Sequence, residues 1–119
     1  MGLYDFKPRF VPLILAGSKT HTIRTHRAHP DKPGNTLHLY TRLRTKKAQL
    51  LRRVQCVAIQ EIVIADLMPP VIFIDGEALN HSEEEAFANR DGFLSFQEMM
   101  EFWKGRLPFK GQIIHWRNR

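Results

Sequence analysis

The stretch Leu15–Arg27, LAGSKTHTIRTHR, decides how this chain is read. It leaves an apolar run through Gly17 and then gathers a lysine, three threonines, two histidines and two arginines without one acid. Gly17 can adopt the left-handed backbone that ends a helix and turns the chain. Lys19 would emerge at that turn. From Thr20 onward the alternating, β-branched pattern predicts a strand, with Thr20, Thr22 and Arg24 on one face and His21 and Ile23 on the other. A lysine, hydroxyls and an arginine that converge would bind a phosphate or a carbonyl. The same residues also read as a polar strand edge with no site. A lysine partly buried beside Arg24 loses basicity, because desolvation and like charge both disfavour its charged form. A neutral lysine can then take a proton from a threonine hydroxyl. Lys19 and Thr22 are three apart, which on a regular strand separates them to opposite faces; they share a site only if Lys19 lies on the turn before the strand.

Upstream, PRFVPLILAG reads as a short helix, with Phe10, Leu13 and Ile14 at helical spacing and Pro8 and Pro12 confining it to few turns. Downstream, RAHPDKPGN is a turn-rich loop. NTLHLYTRL is a strand with Leu37, Leu39 and Thr41 on one face, and RTKKAQ is a basic turn. QLLRRVQCVAIQEIVIADL is the longest strand, with a bulge expected near Ile59 to Ile62, where the alternation slips. VIFIDGEAL is a hairpin closed by Asp-Gly. A helix is expected from Ser82, with Glu83, Glu84 and Glu85 at its start and a stop near Gly92. Ser95 with Glu98 reads as a capping box opening a helix whose apolar stripe is Phe96, Met99, Met100 and Trp103. GQIIHW is a last strand. Five or six strands without regular strand–helix alternation predict an α+β chain, a small mixed or antiparallel β-barrel with peripheral helices, rather than a doubly wound sheet.

A chain of 119 residues with 43% apolar residues fits one domain over residues 1–119. No apolar run is long enough for a membrane span, and MGLYDFKPRF lacks the core of a signal peptide. The lone Cys56 excludes an intrachain disulfide and fits a buried thiol in a cytoplasmic protein. The net charge of +6 is unevenly placed: twelve Lys/Arg face only Asp5 and Asp31 before residue 57, whereas acids outnumber bases after it. Such a basic half favours RNA or another phosphate-bearing partner. Arg24, Arg27 and the run Arg42, Arg44, Lys46 and Lys47 would contact phosphates, or that run would form a solvated turn, and Tyr40 would stack on a base or join the core. The six histidines show no metal-ligand spacing, so no metal is expected. GSKT lacks the upstream glycine of a phosphate-binding loop, and no nucleophile-elbow motif occurs. Phe102, Trp103, Phe109 and Trp116 read as core or rim packing, and Phe6 and Arg9 precede the helix that ends at Gly17.

Gly17, Lys19 and Arg24 fit the G-x-K-x-x-x-x-R signature of the ASCH domain, a relative of the PUA fold. The short helix before the motif, the PGN loop into a strand and the late aromatic helix before a closing strand resemble the same family over nearly the whole chain. The resemblance implies a PUA-like barrel with a cleft over the motif, binding RNA or a nucleoside without a cofactor. Where the commonest ASCH motif has glutamate, this chain has Thr22. KTHTIR is similar to the KT-x-TIR of small bacterial ASCH proteins that remove acetyl from 4-acetylcytidine. That likeness implies Lys19 as general base, Thr22 as nucleophile and a downstream glutamate as proton donor, where this chain offers the shorter aspartate. Asp91 in NRDGFLSFQEM is the best-placed acid, with Glu98 the alternative. Gly17, Ser18, Thr20, Arg24, Arg27, Arg42, Arg44 and Tyr40 would contact substrate or RNA. A non-catalytic RNA-binding module and a ribonuclease are the alternative functions.

Overall fold

The computed structural model describes residues 2–118. Its elements are β1 (Gly2–Phe6), a 3-10 turn at Pro8–Phe10, α1 (Val11–Ala16), β2 (His21–Arg24), β3 (Thr36–Thr41), β4 (Gln49–Ala65), β5 (Val71–Ile74), β6 (Glu77–Ala78), α2 (His81–Asp91), α3 (Phe96–Trp103) and β7 (Phe109–Asn118). The strand β4 is the spine. It pairs antiparallel with β3 through its first part, with β5 through its last four residues and with β7 from Val54 to Ile64. The strand β7 carries β2 antiparallel, and β1 lies parallel to β3. The result is a curled, mixed sheet of seven strands with three helices packed on it.

Among the described residues no ladder joins β1 to β2, so the curl stops short of a closed barrel. An unpaired strand edge leaves carbonyls without donors. Here the Arg24 Nη2 donates to Asp5 O at 2.6 Å and the Arg27 Nη2 donates to Leu3 O at 2.8 Å, so guanidinium groups replace the missing strand.

The core follows the alternation that the sequence announces. Leu37, Leu39, Val54, Ile62, Ile64 and Ile72 point inward and are fully buried, with Phe87 and Met99 closing over them from the helices. Cys56 is buried in the same layer, and that burial pushes its thiol up from the ordinary value. Asp75 and Gly76, with φ of 51° and 84°, make the two-residue hairpin turn between β5 and β6. No helix of the described residues is long and apolar enough to cross a membrane.

Four expectations are corrected. There are seven strands, because residues 2–6 form a strand whose partner, β3, is distant in sequence. The register slips in β4 fall at Val57 against β7 and at Leu51 against β3, not at Ile59 to Ile62. The cap of α2 is Asn80, not Ser82: its side chain accepts from Glu83 N while Glu83 accepts from Asn80 N. Ser95 does cap α3, but the Glu98 carboxylate takes Leu94 N and Arg9 rather than closing a reciprocal box on Ser95.

Candidate active site

Gly17, at φ 80°, ends α1, and the amides of Ser18 and Lys19 both donate to Leu13 O, at 2.9 and 3.2 Å. That pair of hydrogen bonds fixes Lys19 on the turn, two residues ahead of β2. Lys19 and Thr22 therefore face one cleft, as the turn placement requires. Lys19 is 3% exposed, and its Nζ donates to the backbone oxygen of Asp91 at 2.7 Å and to Asp91 Oδ1 at 2.8 Å. Asp91 ends α2. Gly92 follows at φ 106°, and a Cβ there would meet Leu13 Cδ1 at 2.9 Å, so the end of α2 is seated directly against α1.

His21 leaves β2 on the other face, stacks on Phe87 and brings its Nε2 to 3.0 Å from the same Asp91 Oδ1, a close polar contact without hydrogen-bond alignment. One carboxylate oxygen thus serves Lys19 and His21. Burial lowers the Lys19 amine, and Arg24 and Arg9 add to this, while Asp91 opposes it. Burial alone would raise Asp91, but the His21 contact and the Lys19 charge outweigh it and hold the carboxyl below its ordinary value. Burial also lowers His21, so its imidazole stays neutral.

Thr22 is buried, and its Oγ1 accepts from Arg24 Nε at 3.0 Å. Since that bond occupies an oxygen lone pair, the hydroxyl proton is free for another acceptor. The cleft above these groups encloses about 480 Å³. Its lining combines the polar Lys19, Thr22, Arg24 and Asp91 with the rings of Phe6, Phe10, Phe102, Trp103 and Phe109. Trp103 and Phe109 lie 4.6 Å apart, and the Arg106 guanidinium covers Phe102 and Trp103 at 4.6 Å from each. A flat heteroaromatic ring with polar substituents matches such a lining.

The structure brings together Lys19, Thr22, Arg24 and Asp91 and leaves other candidates apart. Gly17 packs by Asn118 and Arg52, Ser18 is exposed, and Thr20 accepts from Trp116 N; none lines the cleft. Arg27 and Arg44 line a second, smaller cavity, and Tyr40 and Arg42 line neither. Glu98 is paired with Arg9 outside the cleft. The aromatic lining was read as packing, because the stripe of α3 shows which residues turn inward but not that a cavity opens beside them. Asp5 reaches the cleft because it lies on β1, a strand whose partner is distant in sequence. Among the described residues no group of three or more His, Cys, Asp or Glu side chains is arranged to hold a metal ion.

No protein-family model and no curated protein matches the chain. Among solved structures, a mutant ZmASCH protein from Zymomonas mobilis superposes with a TM-score of 0.57 at 16% identity, over 98% of this chain and 68% of that one. The fold is therefore ASCH-like, an α+β arrangement of a curled, incompletely closed mixed sheet with peripheral helices.

Proposed function

We propose that this protein binds a modified nucleoside in the cleft and hydrolyses an amide on its base, the acetyl group of 4-acetylcytidine being the expected substrate. The carrying observation is the buried Lys19 amine: Asp91 accepts two of its N–H bonds and burial lowers its basicity, so that loss of its third proton frees a lone pair in the cleft it shares with Thr22. In this reading Thr22 Oγ attacks the acetyl carbonyl while its proton passes to Lys19. Arg24 faces the oxyanion. Lys19 returns the proton to the cytosine amine as the C–N bond breaks, and water then cleaves the acetyl-threonine ester to acetate. Asp91 serves as counter-ion rather than proton donor, since its carboxyl is held ionised. The aromatic lining takes the base.

The test is acetate release from 4-acetylcytidine by the wild type, Lys19→Ala and Thr22→Ala. Turnover by the wild type alone supports both roles; a folded wild type without turnover sinks the reading. The basic first half of the chain favours a second reading, a non-catalytic RNA-binding module. It expects Thr22→Ala to leave binding and function intact, while Lys19→Ala and Arg24→Ala weaken RNA affinity and its salt dependence.

A further inference from the structure

The unpaired seam between β1 and β2 does not end at the cleft. Beyond Arg24 it opens into a second cavity of about 270 Å³, lined by Leu3, Asp5, Arg24, Arg27, Leu43 and Arg44. Asp5 and Arg24 line both cavities, so the two are adjoining compartments of one groove. The first is rich in aromatic rings. The second holds three guanidiniums and one carboxylate.

The donors are only partly used. Arg24 spends its Nε on Thr22 and one Nη on Asp5 O, and Arg27 spends one Nη on Leu3 O while its guanidinium lies 4.0 Å over the Tyr4 ring. Among the described residues Arg44 makes no hydrogen bond or ion pair. It sits at φ 69° in the β3–β4 turn, which brings it to this cavity rather than along a strand. The Asp5 carboxylate opposes an anion, but its Oδ1 already accepts from Leu43 N at 3.0 Å, and the cavity keeps an excess of two positive charges. Planar guanidiniums with free N–H groups are the side chains best matched to phosphate oxygens.

We propose that this second cavity is a phosphate subsite of the same groove, so that the ligand is a phosphorylated nucleoside, as a nucleotide or within RNA, rather than a free nucleoside. The base occupies the aromatic cleft, Arg24 stands between the compartments, and Arg27 and Arg44 take the phosphate. The proposal rests on the nucleoside reading of the cleft for its base compartment only.

Binding of cytidine, cytidine 5′- and 3′-monophosphate, a short cytidine-containing RNA and inorganic phosphate is to be compared by calorimetry and by amide shifts of labelled protein. The proteins are wild type, Arg44→Glu and Arg44→Gly, the last preserving a turn that glycine tolerates. At least one phosphorylated probe is expected to bind about tenfold tighter than cytidine, with the advantage shrinking in salt. Both variants should bring that ratio towards one, and the probe that gains most tells nucleotide from RNA. Equal affinity for cytidine and every phosphorylated probe, or an advantage that survives Arg44→Glu, overturns the subsite while leaving the nucleoside cleft standing. If cytidine does not bind but phosphate shifts the amides of Leu43 and Arg44 in the wild type and not in Arg44→Glu, the subsite stands and the nucleoside reading falls. If no probe perturbs either compartment, both fall.

Discussion

Asp91→Asn tests the arrangement most directly, because it removes one charge and keeps the shape. In the native protein the Asp91 carboxylate and the Lys19 amine are 2.8 Å apart, with side-chain exposures of 8% and 4%. Without Asp91, Lys19 either keeps an unpaired buried charge or gives up its proton. Breaking a buried pair by removing one partner costs about 3–5 kcal/mol. Neutralising a lysine of ordinary pKa at pH 7 costs at most about 5 kcal/mol, at about 1.4 kcal/mol per pH unit. The two routes meet in the same range, so a loss of about 3–5 kcal/mol is expected at pH 7. Urea unfolding measures it: with a slope near 1.5 kcal/mol per molar urea, the midpoint falls by about 2–3 M. The sign of the pH dependence is a second check. The variant lowers the Lys19 pKa further below its unfolded value of 10.5, so its deficit is greatest at neutral pH and shrinks as the pH approaches that value. Adding Lys19→Met to Asp91→Asn should recover part of the loss, since no buried charge is left unpaired. A midpoint shift below about 0.5 M, or a deficit constant between about pH 7 and pH 10, would refute the buried-pair account.

Four further outcomes are expected. Thr22→Ala should lower kcat on 4-acetylcytidine by about three orders of magnitude or more while cytidine still binds, and wild-type kcat/KM should rise with pH through the lowered Lys19 pKa; a profile falling over that window speaks against an amine base. Gly92→Ala should cost about 2 kcal/mol or more in a thermal melt, because its φ of 106° is strained for alanine and the new Cβ meets Leu13 and Phe10; a change within about 0.5 kcal/mol refutes the seating of α2 on α1. The folded pKa values of His21 and His115 lie below the ordinary 6.5, chiefly through burial, so stability is full above about pH 6.5 and is lost as the pH falls through those folded values. Asp91, depressed below 3.8, extends the loss to still lower pH. A melting temperature flat from about pH 7 down to pH 4 contradicts burial of neutral imidazoles.

What the sequence made legible was local. The end of α1 at Gly17, the Asp-Gly hairpin and the inward set Leu37, Leu39 and Thr41 each depend on a few neighbouring residues, and each is where the sequence puts it. The strand β1 was not legible: its five residues have no turn signals of their own, and its partner begins at Leu37. The slips in β4 were misplaced because Ile59 packs partly against the core in a strand whose partners change along its length. Alternation assigns His21 away from Thr22, and that is correct, but β2 is covered on both faces, by the cleft residues on one and by Phe87 of α2 on the other. The link between His21 and Lys19 runs through Asp91, 72 residues beyond the lysine, and no local pattern encodes it.

The candidate site lies where the sheet lacks a ladder, and this constrains its chemistry. A closed barrel would satisfy the edge of β1 with backbone amides and leave no opening between β1 and β2. Here Arg24 and Arg27 satisfy Leu3 and Asp5 from the side, which holds the seam together and keeps cationic groups along an open groove. The same contacts make Arg24 a poor probe of function alone. Removing it leaves the Asp5 carbonyl without its donor and takes away the bond to Thr22 Oγ1, so lost activity in Arg24→Ala mixes folding with chemistry. Thr22 and Arg44 separate the two: Thr22 bears the hydroxyl without holding the seam, and Arg44 faces the second cavity from an exposed turn. Their effects should therefore be independent, Thr22→Ala acting on turnover and Arg44→Glu on the preference for phosphate, and additive when combined.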